Sequence, residues 1–191
     1  MSSVLVSAPT FEHHHSGLGI EQPRPRISWR FDVRKGAVVP SSWRQTQYEL
    51  EIALGDHAQF TAYEVKSAQS VLVPWPAQSL VQQQSARVRV RCLGVTSTGE
   101  GQLTEWSETA TVETALLEQR AWKARFIASS ERGSPEGPLR PLRFRKEISL
   151  LVQRGKPRKA RLYITALGIF DAYIDGRRVS DGLLAPGWTD Y

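Results

Sequence analysis

Apolar and polar residues alternate with a period of two along much of the chain, whereas helical periodicity is nearly absent. This pattern predicts an all-β protein. In the clearest predicted strand, residues 86–92, valines and Cys92 face one side and three arginines face the other. A second strand, residues 47–54, places Glu49 and Glu51 opposite its apolar face. If the two strands are neighbours, opposite charges meet on the solvent face, where each pair adds a few tenths of a kcal/mol.

Further strands are predicted on both sides of this pair, at residues 26–31, 70–73, 110–114, 122–127, 142–150 and 160–165. A hairpin closes the series at residues 169–179, because Asp175-Gly176 suits a type I′ turn, in which both residues have positive φ. Short strands at this spacing describe a β-sandwich over residues 1–117. Residues 118–191 supply only three or four more strands, too few for a second sandwich that is stable alone.

The composition is that of a soluble globular protein, with 40% hydrophobic and 23% charged residues. No apolar run approaches the roughly 20 residues that span a bilayer. The first residues have no basic start and no apolar core of a secretory signal. The single cysteine, Cys92, excludes an internal disulfide and a cysteine-based zinc site. We therefore expect a cytoplasmic protein without a membrane partner, with the oligomeric state left open.

The net charge of +6 is concentrated in residues 119–161, which hold 13 basic and 3 acidic side chains. Such a segment could attract nucleic acid or another polyanion. Its charges alternate with apolar residues, however, and no RNA-recognition signature accompanies them. The favoured interpretation is a solvated face, with no nucleic-acid partner.

Few residues suggest chemistry. His13, His14 and His15 form the most conspicuous cluster, but only Glu12 could join them as a metal ligand, so a surface loop without metal is expected. Cys92 has no nearby base and is expected to be a small core residue. The C-terminal carboxylates fall in turns or on an exposed strand face, and none is assigned to catalysis: Asp171, Asp175, Asp181 and Asp190.

The six tryptophans raise the question of sugar binding, since aromatic faces suit the C–H faces of pyranose rings. Trp29 and Trp122 lie within strand patterns and are predicted to be sandwich core. Trp75 and Trp188 are flanked by Pro or Gly, so they are predicted to be exposed and are the candidate sugar-stacking residues. Packing under a loop is the favoured alternative for each of them.

The end of the chain resembles a known family. Residues 161–179, RLYITALGIFDAYIDGRRV, and residues 184–191, LAPGWTDY, are similar to the N-terminal region of α-L-rhamnosidases of glycoside hydrolase family 78. Upstream runs of the chain agree with the family in order: FEH at 11–13, PRISW at 25–29, SVLVPW at 70–75, EWSE at 105–108 and TVETALL at 111–117.

The resemblance implies a fibronectin type III-like or immunoglobulin-like β-sandwich at 1–117. The first strands of an incomplete jelly-roll domain would follow at 118–191. In such enzymes the general acid and base lie in an (α/α)6 barrel beyond these domains, so no catalytic, cofactor or metal residue is carried over to this chain.

The implied function is that of the non-catalytic N-terminal region of an α-L-rhamnosidase. The full-length form would hydrolyse terminal α-L-rhamnose from a glycoside or polysaccharide by inversion. The alternatives are a stand-alone carbohydrate-binding or interaction module and a polyanion-binding protein that uses residues 119–161.

Overall fold

A computed structural model describes residues 3–14, 16–37, 42–55, 58–129, 141–149, 159–179, 182, 185 and 186. The chain forms two compact units, Met1–Lys123 and Ala124–Tyr191. The predicted domain ranges, 1–117 and 118–191, stay predictions. Within the described ranges no helix has the length and apolarity needed to cross a lipid bilayer.

The regular structure of these ranges is twelve β-strands and one short 3-10 helix, Gln119–Ala121. The strands are β1 (Val4–Val6), β2 (Thr10–Phe11), β3 (Leu18–Ile20), β4 (Ile27–Ser28), β5 (Phe31–Val33), β6 (Arg44–Leu54), β7 (Thr61–Val65), β8 (Ser85–Val95), β9 (Gly101–Leu103), β10 (Ala110–Thr114), β11 (Tyr173–Ile174) and β12 (Arg177–Arg178). The prediction of an all-β protein is confirmed.

One six-stranded sheet dominates the first unit. Its strand order is β3-β10-β8-β6-β7, and β9 pairs with the end of β8. The two long strands β6 and β8 run antiparallel, with Leu50 opposite Val90 and Glu49 opposite Arg91. Both contain the predicted strands: β8 extends its strand at each end, whereas β6 begins three residues earlier than predicted and ends at Leu54 as predicted. The edge strand β3 is parallel to β10.

The core lies on the inner face of this sheet, where the alternation places the apolar residues. The antiparallel pair β2–β4 forms a smaller layer on the opposite side of the core. A bridge between Ile27 and Val73 joins the segment around Val73 to this layer. The largest side chains that are almost completely buried include Trp29, Phe11, Ile20, Ile27, Leu50, Ile52 and Leu80.

Trp29 is confirmed as a core residue. Its ring meets Tyr48 edge to face, with centroids 4.9 Å apart. Its indole N–H donates to Gln45 Oε1 at 3.1 Å, and the Gln45 amide donates to the backbone oxygens of Ser67 at 2.8 Å and Gln69 at 2.9 Å. A buried polar group needs such partners, and this chain of bonds ties β6 to the loop after β7.

Gly94 permits a second close contact of a tryptophan with the sheet. A methyl group at Gly94 would lie 2.1 Å from Trp43 Cε2, so the indole of Trp43 rests directly on the backbone of β8. The same ring packs edge to face on Phe31, at 4.9 Å between centroids. Only glycine leaves room for this contact.

Two predictions for the first unit need correction. The strand predicted at 26–31 is divided, because β4 pairs with β2 whereas β5 pairs with β1. The strand predicted at 70–73 is reduced to a single bridge at Val73, since Leu72 has a left-handed φ of 51° that interrupts an extended strand.

The second unit contains the predicted hairpin, formed by β11 and β12. Asp175 and Gly176 have φ of 48° and 76°, which confirms the type I′ turn. The strands predicted at 122–127, 142–150 and 160–165 are wrong over the described residues of those segments. No neighbouring strand pairs with them there, and their apolar side chains are exposed, so alternation alone did not produce strands.

Candidate functional site: an arginine and aromatic face

The solvent side of β8 and β6 carries a closely connected group of charged and aromatic side chains, which we call the arginine face. It consists of Glu49, Glu51, Phe60, Arg87, Arg89, Arg91 and Trp106.

Ion pairs join the two central strands of the arginine face. Arg89 Nη2 and Nε lie 2.5 and 2.6 Å from Glu51 Oε2. Arg91 makes the same two contacts with Glu49 Oε2, at 2.5 and 2.6 Å. These pairs join residues that are opposite each other in the β6–β8 register. The predicted pairing of acidic and basic strands is therefore confirmed.

Two aromatic rings cover the arginines. The guanidinium carbons of Arg87 and Arg89 lie 5.0 and 4.9 Å from the ring centre of Phe60. Arg89 and Arg91 lie 4.7 and 4.5 Å from the ring centre of Trp106. Each contact is within the range of a cation–π interaction. Arg89 thus contacts both rings and an acidic side chain.

The segment that carries Trp106 is held by two hydroxyl groups. Thr104 Oγ1 accepts from the Cys92 amide at 2.9 Å, and the Thr104 amide donates to the Cys92 oxygen at 2.9 Å. Ser107 repeats the arrangement with Val90, at 3.0 and 2.8 Å. Each hydroxyl oxygen accepts the hydrogen bond that the carbonyl of a neighbouring strand would otherwise accept from β8. Trp106 lies between these two anchors and reaches across β8.

This arrangement favours a structural role. Both carboxylates of the arginine face are held in ion pairs with arginines of the neighbouring strand. Arg87 donates to the Ala58 oxygen at 2.8 Å, so the third arginine is also engaged. Outside the arginine face, Glu105 binds Arg34 at 2.9 Å. The alternation of the strands predicted the ion pairs, but it did not predict the role of Trp106.

Trp75 was predicted to be exposed, and that prediction is wrong. Only 2% of its surface is accessible, and its indole N–H donates to the Gln78 oxygen at 2.9 Å. The prolines at 74 and 76 keep the segment out of a strand. The resulting loop packs over the core, however, and the indole of Trp75 is buried there. In this position Trp75 offers no face to a sugar. Trp188 lies outside the described residues.

Trp122 was predicted to be core, and this is also wrong. It follows the 3-10 helix, and 37% of its surface is exposed. The alternation around it does not coincide with a strand of the described residues, and the ring is left partly exposed.

The histidine cluster is part of an exposed segment. His13 and His14 are exposed, and His15 lies outside the described residues. Arg26 binds Glu12 through its guanidinium, at 2.5 Å, and through its backbone amide, at 2.8 Å. The side-chain hydrogen bond from Arg26 holds the pKa of Glu12 below its usual value. The described residues contain no group of three side chains placed to hold a metal ion.

Cys92 is confirmed as a core residue. It lies completely buried in β8, and burial raises the pKa of its thiol to about 12. The thiol therefore stays protonated at neutral pH and is shielded from solvent, which is the opposite of what a nucleophile requires.

Two of the four C-terminal carboxylates, Asp171 and Asp175, lie among the described residues. Asp171 accepts hydrogen bonds from Arg178, while Asp175 lies exposed in the hairpin turn. Asp181 and Asp190 lie outside the described residues.

Comparison with known proteins finds a family match for each of two parts of the chain. Residues 6–118 match the family described as Rha78A-like, N-terminal immunoglobulin domain. Residues 155–191 match the family described as alpha-L-rhamnosidase N-terminal domain. Two curated alpha-L-rhamnosidases are similar to the chain. That of Formosa agariphila is 29% identical over all of this chain and 21% of its own length, and that of Alteromonas sp. (strain LOR) is 26% identical over 91% and 19%.

Solved structures agree. The α-L-rhamnosidase of Aspergillus terreus is 38% identical and superposes with a TM-score of 0.78 over 97% of this chain and 20% of its own. The α-L-rhamnosidase of Streptomyces avermitilis, in complex with L-rhamnose, is 27% identical with a TM-score of 0.54 over 66% and 12%.

The fold and the comparisons together show that the chain is an immunoglobulin-like β protein that matches the N-terminal region of α-L-rhamnosidases. The chain belongs to the family of Rha78A-like N-terminal immunoglobulin domains. It spans about a fifth of the length of the curated relatives it matches.

Proposed function

We propose that this chain acts as the non-catalytic N-terminal β region of an α-L-rhamnosidase. The full-length form would hydrolyse terminal, non-reducing α-L-rhamnose from glycosides or polysaccharides by inversion. The observation that carries the proposal is the extent of the similarity, since 97% of the chain superposes on one such enzyme.

The chemistry of the described residues supports a non-catalytic role. Hydrolysis of a glycoside needs two carboxyl groups that face each other across the sugar, one of which carries a proton. On the arginine face, Glu49 and Glu51 are each neutralised by an arginine. The arginine face instead connects the segment between β9 and β10 to the two central strands, as a supporting domain requires.

The proposal is tested by exchange with a relative. The matching fifth of the Aspergillus terreus enzyme is replaced by this chain, and hydrolysis of 4-nitrophenyl α-L-rhamnopyranoside is measured. We expect the chimera to be soluble and active, the enzyme without that fifth to be inactive or insoluble, and the isolated 191-residue chain to release no nitrophenol.

Two results would contradict the proposal. Hydrolysis by the isolated chain would show that it contains its own catalytic groups. A folded but inactive chimera, together with binding of L-rhamnose by the isolated chain, would favour a stand-alone carbohydrate-binding module.

A further inference from the structure

The two ends of the six-stranded sheet differ in how open they are to another strand. The strand order places β3 at one end and β7 at the other. β3 has only three residues, its pairing with β10 contains a register shift, and Gly19 has a left-handed φ of 77°. Such irregularities keep an edge strand from pairing further. β7 has none of them, since residues 60–69 contain no glycine, no proline and no positive φ.

The hydrogen bonds of β8 determine which backbone groups of β8 face β6. Val90 and Cys92 direct their N–H and C=O groups away from β6, toward the segment that carries Trp106. Bonding alternates along an antiparallel strand. Arg91, the residue between them, therefore pairs with Glu49 of β6 through its backbone.

The same alternation continues from β6 to β7. Leu50 follows Glu49, so its backbone faces the other way and pairs with Tyr63 of β7. Ala62 and Glu64, on either side of Tyr63, then direct their N–H and C=O groups to the open side of β7. Among the described residues no backbone group bonds to this open side. β7 thus presents a row of free donors and acceptors to solvent.

Two exposed charges of opposite sign accompany this row. Glu64 and Lys66 are exposed and make no ion pair with a described residue. Within its own sheet Glu64 lies directly opposite Glu49, a carboxylate that already binds Arg91. Like charges at opposite positions are unfavourable. A cation from outside the sheet would therefore stabilise Glu64.

We propose that β7 pairs antiparallel with β7 of a second copy of this chain, so that two sheets continue as one. The register places Glu64 opposite the partner's Lys66, with the twofold axis at Val65. Lys66 of the first copy then lies opposite the partner's Glu64. Exposed charges often protect an edge strand, but here each meets its opposite across the axis. Charge complementarity selects a second copy as the occupant.

The first measurement is the mass of the full 191-residue chain in solution. Contact along one short strand buries little surface, so the dimer should be weak. In sedimentation equilibrium, the average mass should rise from 21.4 kDa toward twice that value between about 10 μM and about 1 mM chain.

Charge reversal tests the register. Glu64→Lys alone or Lys66→Glu alone places like charges opposite each other twice and should weaken association by roughly tenfold. The two changes together exchange the charges and should restore association. Glu21→Lys is the matched control, because it changes the net charge as Glu64→Lys does, at an exposed residue outside β7, and should leave association unchanged.

A proline tests the backbone of the open edge. Glu64→Pro removes an N–H that points to the open side, a position where edge strands tolerate proline. The variant should lose association and keep the circular dichroism spectrum of the unchanged chain. Glu64→Ala removes the charge and keeps the N–H, so it should weaken association less.

Three results would overturn the proposal. The chain could stay monomeric over the whole range, Glu64→Lys and Glu21→Lys could alter association equally, or the double exchange could fail to restore it. The outcome is independent of the chimera: a monomeric chain would refute this inference alone, and an inactive chimera would bear only on the proposed function.

Discussion

Truncation of Trp106 gives the sharpest test of the arginine face. The indole contacts two guanidinium groups, at 4.7 and 4.5 Å from its centre. A partly exposed cation–π contact contributes about 0.5–1 kcal/mol, so Trp106→Ala should lower the free energy of unfolding by about 1–2 kcal/mol. At a urea dependence of about 2 kcal/mol per molar, the unfolding midpoint should fall by roughly 0.5–1 M.

The assay is urea unfolding followed by far-ultraviolet circular dichroism, because the substitution removes a fluorophore. Trp122→Ala is the matched control, since Trp122 is exposed and no arginine among the described residues stacks on its ring. A surface change of that kind should alter stability by less than about 0.5 kcal/mol. Trp106→Phe keeps a ring in place and should lose less than Trp106→Ala.

A double-mutant cycle separates the cation–π contact from simple loss of buried surface. Trp106→Ala and Arg91→Gln are combined, and the coupling between them should be about 0.5–1 kcal/mol. The reasoning is refuted if the two changes are additive, or if Trp106→Ala costs no more than Trp122→Ala.

Three further predictions concern other parts of the first unit. Gly94→Ala should cost about 1–3 kcal/mol, because the new methyl group lies 2.1 Å from Trp43 Cε2, and Trp43→Leu in the same chain should recover part of the loss in a urea titration. Cys92 should react with a thiol reagent only after unfolding, since burial raises its pKa to about 12; rapid labelling of the native chain would contradict this. Arg26 lowers the pKa of Glu12 below 4.5, so their pair should stabilise the fold above that pH and be lost as the pH falls through the lowered value. The urea midpoint of Glu12→Gln should therefore be lower than that of the unchanged chain at neutral pH, and the difference should shrink as the pH falls through the lowered pKa of Glu12; a difference that does not change with pH would be the contrary result.

Some features of the first unit were predictable from the sequence because they follow from the two-residue alternation of a β-strand. The alternation in β6 and β8 determined which residues face inward, and the neighbouring position of the strands then fixed the pairs of Glu49 and Glu51 with arginines. The turn at Asp175 was predictable because few sequences tolerate two consecutive residues with positive φ.

Other features depend on contacts that no local pattern contains. Trp106 reaches the arginines because Thr104 and Ser107 bond to the backbone of β8, a contact between side chain and main chain that has no period. The prolines around Trp75 correctly indicated a loop, yet they could not show that the loop covers the core. At residues 141–149 and 160–165, alternation without a neighbouring strand among the described residues gave exposed side chains instead of strands.

The hydroxyl anchors of Thr104 and Ser107 have a consequence for how the domain avoids association. One side of β8 pairs with β10 at its start and with β9 at its end. The amides of Val90 and Cys92 lie between, where an uncovered edge would be a template for a strand from another molecule. Two side-chain oxygens close that gap, so the middle of β8 behaves as an interior strand although no described strand pairs with it on this side. The segment that carries Trp106 can thus cross β8 without leaving its middle open to a strand from another molecule.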